Sequence, residues 1–117
     1  MAGLLVGSFF DDSNAGQKTA KAWINFDGTG TVAIRDSFNV SSLTDNATGD
    51  YTVTFATAFA NINYVYAVCS GNDNVFISSR NYSAYPPTTT ASRLASVLYN
   101  GGGKSDDNAI LAVYFGD

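Results

Sequence analysis

The sequence predicts an all-β chain, a single antiparallel β-sandwich of about seven to eight strands. Three observations carry that reading. Good helix formers are scarce: there is no Glu, one Gln and one Met, while Thr, Val, seven Tyr and eight Phe suit a pleated, half-buried surface. Short runs alternate apolar with polar residues. Between them, clusters of Gly, Asn, Asp and Pro recur at the spacing of a sandwich or barrel. With 117 residues, 45% of them apolar, the chain amounts to one domain, able to bury roughly two thirds of its unfolded surface.

Taken in order, the first strand is expected over residues 21–26, with Ala22, Ile24 and Phe26 on one side and Trp23 on the other. The glycines of 27–30 (DGTG) supply a tight turn. A second strand over 31–40 puts Val32, Ile34, Phe38 and Val40 in phase; Asp36 shares that face and requires an edge or a partner. The stretch 39–55 (NVSSLTDNATGDYTVTF) reads as a strand end, a turn built from 44–49, and a strand in which Tyr51, Val53 and Phe55 alternate with Thr52 and Thr54. In that turn Asp45 and Asp50 are expected to bond nearby backbone amides.

Residues 64–70, apolar on both faces, suggest a central strand, and Cys69 within them a buried, inert thiol. Residues 75–82 form a weaker run. Residues 88–99 fit two patterns: Leu94, Val97 and Leu98 have helical spacing behind a capping Ser92, while the β-rich context and threonine run favour a strand. Residues 110–115 (ILAVYF) read as a closing strand covered on both faces. Turn chemistry fills 70–74, 85–87 and 100–108.

Composition excludes several functions. A net charge of −4 with six scattered Lys and Arg cannot track phosphates or an anionic membrane, so no nucleic-acid partner is expected. The apolar residues at 1–10 are too few to span a bilayer and lack a signal peptide's positive start, so neither membrane insertion nor Sec-type secretion is expected. One cysteine excludes an internal disulfide and a Cys-rich zinc site. With no His and no Glu, the acids available are aspartates in turns, which usually cap their own backbone; no enzyme activity and no cofactor are expected. Residues 72–74 (NDN) and 105–108 (SDDN) offer oxygens to a hard cation but lack the spaced acids and closing Glu of a calcium loop, so no metal is expected.

What remains is surface recognition. Tyr82, Tyr85, Tyr99, Trp23 and Phe76 accompany Asn72, Asn74, Asn81 and Asn100 in or near loops, a mixture in which rings stack and amides hydrogen-bond. The contact residues expected are Asn72, Asp73, Asn74, Tyr82, Tyr85, Asn100, Asp106 and Asp107. Leu4, Leu5, Val6, Phe9 and Phe10 form an apolar segment expected to serve assembly, since alone they make an exposed patch.

Lys21, Ala22, Trp23, Ile24, Asn25 and Phe26, then Gly28 and Thr29, then Asn39, Val40, Ser41 and Ser42 follow a recognisable order, continued by Thr44, Asp45, Asn46, Gly49, Asp50 and Tyr51. Together with the closing residues 112–117 (AVYFGD), they resemble the C-terminal receptor-binding tip domain of bacteriophage tail-fibre proteins of the marine phage and cyanophage type. The resemblance is strongest over 20–55 and at the end, and loose between. It implies a β-sandwich, a homotrimer and adhesion to the bacterial surface without catalysis, and it favours the strand reading of 88–99.

Two departures stand out. Fibre tips usually follow a long stalk, whereas about twenty residues precede the module here, which fits a short virion protein or a piece of a longer one. Residues 72–108 match no family pattern.

The expected organisation is an assembly or attachment segment at 1–20 and a tip-like sandwich at 21–117. The function expected is a virion structural protein that binds a host glycan or outer-membrane protein through distal loops, in contact with other virion proteins. The alternative is a capsid decoration or head-fibre protein built on the same module. A glycan depolymerase, the enzymatic rival, requires two opposed aspartates across a cleft.

Overall fold

The computed structural model describes residues 19–80 and 83–117. Its strands are β1 (Ala20–Asp27), β2 (Ala33–Phe38), β3 (Val40–Ala47), β4 (Asp50–Phe55), β5 (Val65–Ser70), β6 (Val75–Ser79), β7 (Ala91–Leu98) and β8 (Ile110–Phe115). They form two antiparallel four-stranded sheets, in the orders β2-β1-β8-β5 and β3-β4-β7-β6. The first is called sheet A below and the second sheet B. The all-β sandwich read from the sequence is the fold found, and the ambiguous segment is strand β7.

The core lies between the sheets, where alternation aims one side chain in two inward. Ala22, Ile24 and Phe26 of β1 and Ile110, Ala112 and Tyr114 of β8 meet Tyr51, Val53 and Phe55 of β4 and Leu94 of β7. The Phe55 ring sits edge-on to Phe59, Tyr64 and Tyr114 at centroid separations of 4.9, 5.8 and 5.0 Å. Such edge contacts each add about 0.5–1.5 kcal/mol beyond area burial. The buried Tyr114 hydroxyl finds Ser92 Oγ at 3.2 Å. Ser96 Oγ is buried with no hydrogen-bond partner among the described residues.

Several strand expectations need correction. Residues 31–40 are not one strand. Asn39 adopts φ 56°, the left-handed region that Asn tolerates, and there the chain passes from β2 in sheet A to β3 in sheet B. Its amide fixes the corner: Oδ1 accepts the Thr57 N–H at 2.6 Å and Nδ2 donates to Thr57 O at 3.1 Å. Within β2 the register shifts opposite Asn25/Phe26, so Ile34 faces Phe26 while Phe38 faces Trp23. This bulge breaks the two-residue phase, and Ile34 and Phe38 are both exposed. Asp36 lies exposed on edge strand β2, where its charge stays in water.

The turn expected over 44–49 is shorter: β3 runs to Ala47, and only Thr48 and Gly49 separate it from β4. Asp50 does not cap its own turn, as described below. Residues 65–70 form an edge strand and not a central one, because β5 has a single neighbour, β8. Cys69 is accordingly exposed, not buried. β8 is central in sheet A, but its outward residues Leu111, Val113 and Phe115 are only half-buried.

Candidate functional site

The register gives the sandwich two unlike poles. At the distal pole lie residues 28–32, 48–49, 71–74 and 99–109, laced together by Gly28 N–H to Asp107 O, Gly71 N–H to Ala109 O and Ser105 N–H to Ser96 O. At the opposite pole Ala20 pairs with Phe115, and the Ala60 N–H reaches Asp117 O at 2.7 Å.

Six of the expected contact residues come together distally. Asp107 is only 2% exposed. Its carboxylate accepts hydrogen bonds from Ser70 Oγ, Asn72 Nδ2 and the Ala109 amide. Asp106 Oδ1 accepts from the Gly49 amide and from the Tyr51 hydroxyl, each at 2.9 Å. These two aspartates bind the loops to one another and to β4, so they brace the pole. Burial, with the Asp106 carboxylate beside it, pushes the Tyr51 phenol well above the ordinary tyrosine range.

Asp73, Asn74 and Asn100 are exposed around this frame, and Asn72 is exposed while its amide holds Asp107 and Asn108. Tyr99 and Phe76 stand beside them, each 60% exposed. Tyr82, with Leu4, Leu5, Val6, Phe9 and Phe10, lies outside the described residues.

Tyr85 is not part of that pole. It lies over the outer face of sheet B, its ring 4.0 Å from the Arg93 guanidinium and 4.7 Å from that of Arg80. Both arginines hold Asp50. Arg93 Nε and Nη2 donate to its two oxygens at 2.8 and 2.9 Å, and Arg80 Nε donates at 3.2 Å. Asn46 Nδ2 adds a weaker bond at 3.3 Å and also reaches Thr52 Oγ1 at 2.8 Å. The Arg93 bonds, more than any other influence, pull the Asp50 carboxyl down to about 2. Beside this cluster a depression of about 180 Å³ is lined by Thr52, Tyr85, Pro86, Thr88 and Arg93.

The outer face of sheet A has a different chemistry. Trp23, Phe38, Val65, Ala67, Leu111 and Val113 make it apolar, with Asn25 and Cys69 among them. A shallow groove of about 380 Å³ crosses it between Trp23, Ala67 and Val113. Val65 is 65% exposed and Phe38 52%, values unusual for residues of this size on a surface with no partner.

Asp50 was read from the sequence as a turn acid bonding nearby amides, and nothing there pointed to its partners Arg80 and Arg93. The one available signal was that Arg93 occupies the outward phase of a strand whose inward residues are Ser92 and Leu94. Among the described residues no group of three or more His, Cys, Asp or Glu is placed to hold a metal ion. No family model, curated protein or solved structure matches the chain.

Proposed function

We propose that this protein is a host-recognition module of a bacteriophage virion, the tip of a tail fibre, which adheres to a bacterial surface glycan or outer-membrane protein. The observation that carries the reading is the polarity of the sandwich. β1 enters at one pole, and the exposed Asp73, Asn74, Asn100 and Tyr99 crown the other. A fibre tip needs that arrangement: attachment behind, contact loops in front, and a rigid brace (here Asp106 and Asp107) between them. The family-like order of residues over 21–51 points the same way.

The apolar outer face of sheet A gives the module a surface for its own copies. A homotrimer packed through Trp23, Leu111 and Val113 would cover it and present three sets of loops together. Weak single-site contacts then gain from effective concentration, by factors of about 10²–10⁴.

The test is adsorption. Fluorescently labelled protein is mixed with a panel of bacteria, and phage adsorption to any strain that binds it is measured with and without excess free protein. Binding to a strain, with competition against phage, is the expected result. No binding to any strain, combined with capsid loss in virions depleted of the protein, would overturn it in favour of a decoration protein.

A further inference from the structure

We propose that the outer face of sheet B carries a second, lateral site, formed by Arg80, Arg93, Tyr85 and Thr52, which binds a carboxylate-bearing saccharide such as a uronic acid. The proposal rests on the adhesion reading and adds to it the chemical class of the ligand.

Two guanidinium groups share one carboxylate, Asp50, so the cluster keeps a charge of +1 within a chain of net −4. Among the described residues, Asp50 is the acid ion-paired with either arginine. The Asp50 side chain is 4% exposed, while those of Arg80 and Arg93 are 20% and 29% exposed. The anion is hidden and the cations reach water.

Arg93 uses Nε and Nη2 on Asp50, and Arg80 uses Nε. Among the described residues, Arg93 Nη1 and both Nη groups of Arg80 have no hydrogen-bond acceptor. Guanidinium groups whose inner edges are fixed by a buried acid are held in place, which lowers the entropic cost of offering the outer edges to a second carboxylate. The Tyr85 ring against both guanidiniums narrows their motion further.

The lining of the depression selects among anions. Tyr85 and Pro86 offer C–H and ring surface beside the Arg93 cation, and Thr52, whose oxygen accepts from Asn46, keeps a hydroxyl proton to donate; Thr88 turns its hydroxyl to its own turn, and Arg80 stands outside the lining, against the Tyr85 ring. A sugar ring has an apolar C–H face and a hydroxyl edge, and a sugar acid adds the carboxylate. A volume of about 180 Å³ holds one such residue and not a long chain. An inorganic anion would leave the aromatic and proline surface without use.

The experiment is titration of the ¹⁵N-labelled protein with short oligomers of galacturonic, glucuronic and mannuronic acid, and with their methyl esters. The esters keep each sugar ring and remove the charge. The Nε–H resonances of Arg80 and Arg93 give the readout. Expected are shifts of both resonances with at least one uronate, no shift with its ester, and at least tenfold weaker binding in R80Q, which leaves the Arg93–Asp50 pair in place. Tyr85→Ala provides a second variant, also expected to weaken binding. Equal response to ester and acid, equal response to inorganic phosphate, or no response to any uronate would overturn the proposal. Adsorption to cells that persists in that last case would leave the adhesion reading standing. Uronate binding without adsorption to any cell would do the reverse.

Discussion

Arg93 grips Asp50 through two nitrogens, at 2.8 and 2.9 Å, from the strand hydrogen-bonded beside it. The pair joins β7 to the first residue of β4, and Arg80 brings in the end of β6. With the weaker bond from Asn46 of β3, one buried carboxylate thus ties together all four strands of sheet B.

Removing that charge should be costly. Asp50→Asn turns a strong acceptor into an amide that presents N–H groups to two cations. Breaking a fully buried pair typically costs about 3–5 kcal/mol; because the arginines are partly exposed and can rehydrate, roughly 2–3 kcal/mol is expected here. Arg80→Gln should cost under about 1 kcal/mol, since Arg93 still holds the acid. Urea unfolding with an unchanged slope is the measurement, and equal costs for the two substitutions would contradict the assigned hierarchy.

The same carboxyl makes a pH prediction. Its value falls from 3.8 to about 2 in the folded state, chiefly through the Arg93 bonds. A depressed acid stabilises the fold above its unfolded value, and the benefit disappears as pH drops through the folded one. Asp50 should therefore contribute roughly 2 kcal/mol above pH 4 and almost nothing below pH 2. The difference in unfolding free energy between wild type and Asp50→Asn, followed across that window, should shrink as acid is added.

Two glycines with similar backbone angles should behave differently. Gly49 has φ +61°, and a Cβ there would lie 2.5 Å from Ser96 O and 2.8 Å from the Ser105 amide. Gly30 has φ +57° with open space around it. Both lose the left-handed freedom of glycine on substitution, at about 1–2 kcal/mol. Only Gly49→Ala also forces backbone apart where the β3–β4 turn meets β7, so about 2–4 kcal/mol is expected for it against roughly 1 for Gly30→Ala. Melting temperatures of the two variants decide the matter.

The inward strand pattern was legible because burial on one face imposes strict alternation, as in Ala22, Ile24 and Phe26 or Tyr51, Val53 and Phe55. What escaped the sequence was phase and position. The bulge in β2 moves Phe38 to the outer face, and an Asn at positive φ cuts one expected strand into two, features that no period-two count registers. The apolar residues of β5 suggested a strand covered on both faces, whereas only Tyr66 and Val68 pack against the core and Val65, Ala67 and Cys69 lie on an exposed outer face. Of the candidate contact residues, Asp106 and Asp107 were legible as loop acids but not as braces, because their partners Tyr51, Ser70 and Gly49 lie far away along the chain. Arg93 became visible only when register set it beside Asp50.

Ser96 offers a stabilising change. Its hydroxyl is fully buried without a partner among the described residues, so Ser96→Ala removes an uncompensated polar group from the sheet interface. A gain of about 1 kcal/mol is expected, read as a rise in the denaturation midpoint. A loss would mean that the hydroxyl has a partner in solution.

Cys69 provides a native reporter for assembly. It lies on the outer face of sheet A, and in the isolated chain it is exposed. If copies pack through this face, the thiol must be shielded whenever they are together. At concentrations where light scattering reports three times the chain mass, reaction with a bulky thiol reagent should be at least tenfold slower than in the dispersed chain. Val113→Asp supplies that dispersed chain, because Val113 pairs with both Trp23 and Ala67 in the middle of the face, and a buried unpaired charge there opposes association. Deleting residues 1–10 in parallel separates the roles: a drop in mass assigns Leu4, Leu5, Val6, Phe9 and Phe10 to assembly, and an unchanged mass leaves the sheet face sufficient. An untruncated 117-residue chain of single mass whose Cys69 reacts rapidly would remove sheet A from the assembly and, with it, the trimeric form of the adhesion reading.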